Sequence, residues 1–202
     1  MKPQIHTKSA LTLFFSFLLS FLLHAQITIE AENYSSVVNG NSEIVLENSG
    51  ASIGYFDEKD EMLHYSVNIT ESGYYEMGLR SLAGVNNTVE CITSTNASGY
   101  IFISAASAGD WWLTPIGNWT TSSFTSSPLF FFESGQQSFT LRNTGTGVNI
   151  DKIVLSKSTI TNTTISSIIV NPEKVELMPN KSVQITAYGV NTDNKTIAAP
   201  IT

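Results

Sequence analysis

The feature that most constrains this chain is its punctuation. Between Ile27 and Lys157, short apolar or alternating runs are broken at Asn39-Gly40-Asn41, Asn48-Ser49-Gly50, Glu71-Ser72-Gly73, Asn86-Asn87, Ser134-Gly135 and Thr144-Gly145-Thr146-Gly147. Gly, Asn and Ser clusters of this kind mark turns, because they accept the backbone angles that a reversal needs. The runs between them are rich in β-branched and aromatic residues, and no window sustains a helical period. The spacing predicts strands at 27–32, 43–46, 52–56, 62–69, 73–82, 88–93, 100–104, 123–125, 129–132, 137–143 and 149–156. So many short strands imply an all-β sandwich or jelly roll, and about 130 residues are enough to bury one proper core.

The two ends read differently. Lys2 and Lys8, the apolar run from Ala10 to Leu23 and the small residue Ala25 predict a secretory signal peptide over 1–25. The run is short for a bilayer span, and no Cys precedes the cleavage point as it would in a bacterial lipoprotein. Export to the extracellular space is the expectation. At the other end, the Thr/Ser/Asn-rich stretch 158–167 reads as a linker. A second β pattern follows over 168–202, with runs at 168–170, 174–178, 182–188 and 195–198, about four strands of what would be a larger sandwich, so the sequence reads as part of a longer protein.

Charge and cysteine usage narrow the partners. Without Lys2 and Lys8, the ten Lys+Arg fall to eight against 17 Asp+Glu, a net charge of −9. Nucleic acid and anionic membrane surfaces need clustered cations, so neither is an expected partner; neutral sugars and cations remain. Cys91 is the only cysteine, which excludes an intrachain disulfide and reads as a buried core thiol. A catalytic cysteine needs a base, and His64 is the one histidine left after the signal. A bound metal is one way an exported domain without disulfides gains stability.

Several residue groups could carry chemistry. Within Ile29-Glu30-Ala31-Glu32-Asn33-Tyr34, Glu30 and Glu32 would share one face of a strand. Neighbouring carboxylates repel unless a cation or hydrogen-bond donors share them; a Ca²⁺ is one resolution and a solvated strand edge the other. The run Asp57-Glu58-Lys59-Asp60-Glu61 could supply the two carboxylates of a glycosidase, but such a run also reads as a solvated loop. The sequence carries no nucleophile elbow, zincin helix, phosphate loop or dinucleotide fingerprint. Tyr55, Trp111, Trp112 and Trp119 lie in or beside Gly-containing, loop-like segments, whereas Phe130, Phe131, Phe132 and Phe139 sit in apolar strands. Aromatics at loops suit sugars, whose C–H faces stack on rings while nearby polar groups read the hydroxyls.

Seven segments in order resemble family 6 carbohydrate-binding modules. They are Ile29-Glu30-Ala31-Glu32-Asn33-Tyr34, Ile53-Gly54-Tyr55-Phe56-Asp57, the strand from Glu61 to Ile69, and Ser72-Gly73-Tyr74-Tyr75 with Leu79-Arg80. Gly117-Asn118-Trp119, Ser134-Gly135-Gln136-Gln137 and Gly147-Val148-Asn149-Ile150-Asp151-Lys152-Ile153 complete the set. The resemblance implies a jelly-roll sandwich over 27–157 with a structural Ca²⁺ near the chain ends, held by Glu30, Glu32 and Asp151. It also implies a sugar cleft in which Tyr55 and Trp119 sandwich a ring and Asn149 bonds its hydroxyls. The chain departs from the family after Asp57, where Lys59-Asp60-Glu61-Met62 replaces a Gly-Asp-aromatic stretch. Ile168-Ile169-Val170-Asn171-Pro172, Val175-Glu176-Leu177 and the run from Lys181 to Ala187 resemble the first half of a bacterial immunoglobulin-like domain of the group 2 type. The expected function is non-catalytic binding of a polysaccharide or oligosaccharide by a secreted module that targets a larger glycoside hydrolase. The alternatives are a cell-surface adhesion sandwich that binds no sugar, and a small hydrolase using the 57–61 cluster.

Overall fold

The structure, a computed structural model, describes residues 26–47, 50–105, 120–121, 128–160, 164–171 and 186–200. Along them run β1 (Gln26–Glu30), a single 3-10 turn (Ala31–Asn33), β2 (Ser36–Val38), β3 (Glu43–Glu47), β4 (Gly50–Phe56), β5 (Met62–Ile69) and β6 (Gly73–Ala83). Next come β7 (Asn87–Thr93), β8 (Ala97–Ile103), β9 (Thr120–Thr121), β10 (Leu129–Phe132), β11 (Gly135–Asn143) and β12 (Val148–Lys157). The tail adds β13 (Ile165–Asn171), β14 (Thr186–Asn191), β15 (Thr196–Ile197) and β16 (Ala199–Pro200).

These strands form two sheets. One has the order β13-β14-β15-β10-β6-β12-β4-β3, with β1 also on β12 and β9 on β6; the other has the order β16-β8-β7-β11-β5-β2. The alternation in β5 shows why they stack: Leu63, Tyr65, Val67 and Ile69 are buried while their neighbours reach outward. Each strand of this kind has one apolar face, and two sheets bury those faces against each other. Tyr65 stands opposite Phe139 on β11, and the two rings stack at 5.3 Å. Burying a ring of this size contributes about 2–3 kcal/mol. The Tyr65 hydroxyl donates to the Ala31 carbonyl at 2.8 Å, and burial first, then Tyr34 and Glu32, push that phenol well above its ordinary range. Cys91 is buried in the same core, as its context predicts, with its thiol pushed up by burial and by Glu90.

The all-β sandwich expected from the punctuation is the observed fold, with differences in detail. β1 stops at Glu30, because the chain enters the 3-10 turn at Ala31; the strand expected through Glu32 does not exist. β2 and β9 are short strands that the pattern did not single out. The strands expected at 123–125 and 174–178 lie outside the described residues. β13 begins at Ile165, inside the stretch read as a linker. The tail also joins the sandwich: Ile197 pairs with Leu129, the Ala198 amide donates to the Leu129 carbonyl at 3.0 Å, and Ala199 pairs with Ser98.

Candidate functional site

The irregularity between β4 and β12 organises one end of the sandwich. Val148 pairs with Phe56 and Ile150 with Ile53, so two residues, Gly54 and Tyr55, stand opposite the single residue Asn149. This is a β-bulge, a device that re-aims a side chain. Without it, alternation would send Tyr55 to the same side as Ile53 and turn Phe56 outward. With it, Ile53 and Phe56 both enter the core and Tyr55 is turned out, 54% exposed, at a left-handed φ of 58°. A non-glycine residue held there is strained, and such strain is concentrated at functional positions.

Asn149 lies between two core residues, Val148 and Ile150, and therefore faces outward from the core; it is nonetheless only 6% exposed. It stands opposite Leu82 on β6, which is also buried. Gly54 lets the strands approach: a Cβ there would collide with the Val45 methyl and lie 3.9 Å from Asn149 Oδ1. Glu43 pairs with Gly54 and shares its face, so an exposed carboxylate stands beside the bulge. Residue-type reasoning passed over Glu43, because only the strand register brings it there.

The loops behind the bulge are tied down by Asn143, which is fully buried. Its Nδ2 donates to the Phe56 carbonyl at 2.7 Å and to the Thr146 carbonyl at 3.3 Å, and its Oδ1 accepts from the Gly145 amide at 2.9 Å. The Asp60 amide donates to the Asn143 carbonyl and the Asn143 amide to the Glu61 carbonyl, both at 2.9 Å. An exposed ring, a sheltered amide and an acid thus sit on a braced end of the sandwich, where they can offer an apolar wall and hydrogen bonds to a polar ligand.

The structure therefore brings Tyr55 and Asn149 together. Trp119, and with it Trp111 and Trp112, lies outside the described residues; β9, which starts at Thr120, pairs with Ser81 and Arg80 next to Leu82. Of the acidic run, residues 57–60 are exposed, as the solvated-loop reading expects, whereas Glu61 is fully buried and departs from it.

The proposed metal residues are arranged less simply. The first and last strands of the span do meet, β1 pairing with β12 from Gln26↔Ser156 to Glu30↔Lys152. Asp151, 3% exposed, occupies a second irregularity of β12 and is ion-paired with Arg80. Glu30 faces Lys152 at 3.2 Å. Glu32 sits in the 3-10 turn rather than on a strand beside Glu30, and its Oε2 is buried without a hydrogen-bond partner. Three carboxylates, one with an orphaned oxygen, are hard donors of the kind Ca²⁺ takes. In their present arrangement two are occupied by cationic side chains, and among the described residues no three Asp, Glu, His or Cys side chains form one metal-holding group.

A scan against protein-family models finds no match, and a search of curated proteins finds no similar sequence. Solved structures do match. The C-terminal CBM6 of LamC, a marine laminarinase from Zobellia galactanivorans, is 24% identical with a TM-score of 0.50, over 66% of this chain and 100% of that one. CsCBM6-3 from Clostridium stercorarium, in complex with cellobiose, is 21% identical with a TM-score of 0.52, over 65% of this chain and 94% of that one. A GH26-CBM35 β-(1,4)-mannanase from Podospora anserina is 18% identical with a TM-score of 0.51, over 68% of this chain but 29% of that enzyme. What these likenesses establish is architecture: the chain has the two-sheet β-sandwich fold of family 6 and family 35 carbohydrate-binding modules.

Proposed function

We propose that the mature chain is a secreted, non-catalytic module that takes up a neutral polysaccharide at the end of the sandwich marked by Tyr55 and Asn149. One observation carries the reading: the β4–β12 bulge turns a strained tyrosine out to solvent beside a sheltered amide. An aromatic face and a hydrogen-bonding group a strand apart match the two faces of a sugar, and Trp119 is the proposed second wall. The acidic, lysine-poor composition supports a neutral ligand over nucleic acid. A hydrolase built on the 57–61 cluster is disfavoured, because both oxygens of Glu61 are taken up by backbone amides.

Neighbouring modules come from a laminarinase and from complexes with cellobiose and cellotriose, so β-glucans are the first ligands to try. Affinity electrophoresis and calorimetry of residues 26–202 against laminarin, lichenan and cello-oligosaccharides test the reading. Binding that disappears in Tyr55→Ala and Asn149→Ala, with the fold intact, is the expected result. A well-folded chain that binds none of a broad polysaccharide panel overturns it, leaving an adhesion sandwich without sugar binding.

The wider setting belongs to the same proposal. Residues 1–25 act as the signal peptide, the chain serves to hold a larger glycoside hydrolase at its substrate, and the tail, whose sequence resembles the opening of a bacterial immunoglobulin-like domain, is paired onto the sandwich rather than set apart from it. A structural Ca²⁺ near the paired chain ends is supported by the chemistry of Glu30, Glu32 and Asp151 and by the orphaned Glu32 oxygen. There it would compete with Lys152 and Arg80 for their carboxylates.

A further inference from the structure

Glu61 is a buried carboxylate, and among the described residues no cationic side chain pairs with it. Its Oε1 accepts the Ser42 amide at 2.8 Å, and its Oε2 accepts the amides of Asp57 at 3.2 Å and Glu58 at 3.4 Å. An ionised group taken out of water is costly unless donors replace that water, and three N–H groups aimed at two oxygens do so. The carboxyl group packs directly on Gly40: a Cβ there would lie 2.0 Å from Glu61 Cδ, so a side chain at that position would push the carboxylate aside. A leucine in this place would satisfy a core equally well, so a carboxyl group here calls for another reason.

That reason is visible in what the carboxylate holds. The peptide group joining Phe56 to Asp57 is gripped on both sides, its carbonyl by Asn143 Nδ2 at 2.7 Å and its N–H by Glu61 Oε2. This is the first peptide group beyond the bulge, one residue from the strained Tyr55. The other oxygen grips Ser42, the residue immediately before Glu43. Glu61 thus ties together the two backbone segments that lead to Tyr55 and to Glu43.

We propose that Glu61 is the positioning residue of the sugar site, holding the bulge so that Tyr55 keeps its outward, left-handed conformation. The part of the claim that concerns affinity rests on the sugar-binding reading above; the part that concerns the loop does not.

Glu61→Gln in the mature chain tests it. The glutamine keeps the volume but turns an NH₂ group toward N–H donors, so at least one grip is lost. The readouts are hydrogen exchange at the amides of Ser42, Asp57 and Glu58, the three-bond HN–Hα coupling of Tyr55, and affinity for laminarin and cello-oligosaccharides. The expected result is exchange at least about tenfold faster at those three amides, with Leu79 and Leu141 unchanged. The Tyr55 coupling moves off its left-handed value and affinity falls by about tenfold or more. Unchanged exchange and coupling overturn the proposal, and so does unchanged affinity alongside altered exchange, which would make Glu61 structural only. Should Glu61→Gln fail to fold, Gly40→Ala displaces the same carboxylate by direct contact and must give the same signature. If the wild-type chain binds no sugar, the sugar-binding reading fails while exchange and coupling still decide whether Glu61 holds the bulge.

Discussion

At a φ of 58°, Tyr55 occupies the left-handed region, which costs a residue bearing a Cβ about 1 kcal/mol and costs glycine nothing. Tyr55→Ala and Tyr55→Gly both remove the ring, so both should lose sugar affinity by about tenfold or more. The glycine variant should be the more stable of the two by about 1 kcal/mol, the reverse of their usual order in a strand. Thermal midpoints and calorimetry of the pair check this; an alanine variant more stable than the glycine one would mean the strain is absent. Cys91 allows a second check. Its thiol, raised by burial and by Glu90, should resist iodoacetamide until the chain unfolds. Because the folded-state value is raised, the contribution of this thiol to stability is complete below its ordinary value of 9.0 and is lost as pH rises beyond it. Tyr55 was legible in the sequence as a large aromatic among glycines. Glu61 was not, because a carboxylate whose partners are backbone amides looks the same in sequence as one facing water.

β12 is the element on which most of the site depends, and both of its irregularities matter. One places Asn149 against Gly54 and Tyr55; the other, between Ile150 and Lys152, gives Asp151 to Arg80. Asp151→Ala removes a charge-assisted hydrogen bond from Arg80 and should cost about 2 kcal/mol. Replacing both, as Arg80→Met with Asp151→Leu, should cost much less, and urea unfolding of the single and double variants measures the difference. If Ca²⁺ binds at these carboxylates, EDTA lowers the thermal midpoint of the wild-type chain and has no effect on Asp151→Asn, since only a ligand of the folded state stabilises by mass action. An EDTA-insensitive wild type removes the metal. The strands themselves were legible, with 62–69 and 129–132 falling on the observed elements. The placement of Glu30 and Glu32 side by side was not, because it assumed a strand that ends one residue before Ala31.

At the scale of the whole molecule, the tail covers the edges of β8 and β10. Residues 186–200 lie along both: β15 pairs with β10 in one sheet and β16 with β8 in the other. Lys195 reaches Glu76 at 2.9 Å, the Tyr188 and Tyr100 rings meet edge to face at 5.9 Å, and Ala198 enters the core. The run 195–198 was legible as a strand, and β15 falls within it, but nothing in runs as short as Thr196–Ile197 and Ala199–Pro200 says which strands they join, so the closure itself was not legible. An uncovered sheet edge offers unpaired N–H and C=O groups to other chains. A chain cut after Ile160 would free the Leu129 carbonyl and the β8 edge, both paired in the longer chain. The shortened protein should therefore melt at a lower temperature than residues 26–202 and should self-associate, as read by thermal unfolding and sedimentation velocity on the two side by side. Equal midpoints and two monomers would instead assign residues 165–200 to an independent immunoglobulin-like unit and leave the sugar-binding sandwich complete at β12.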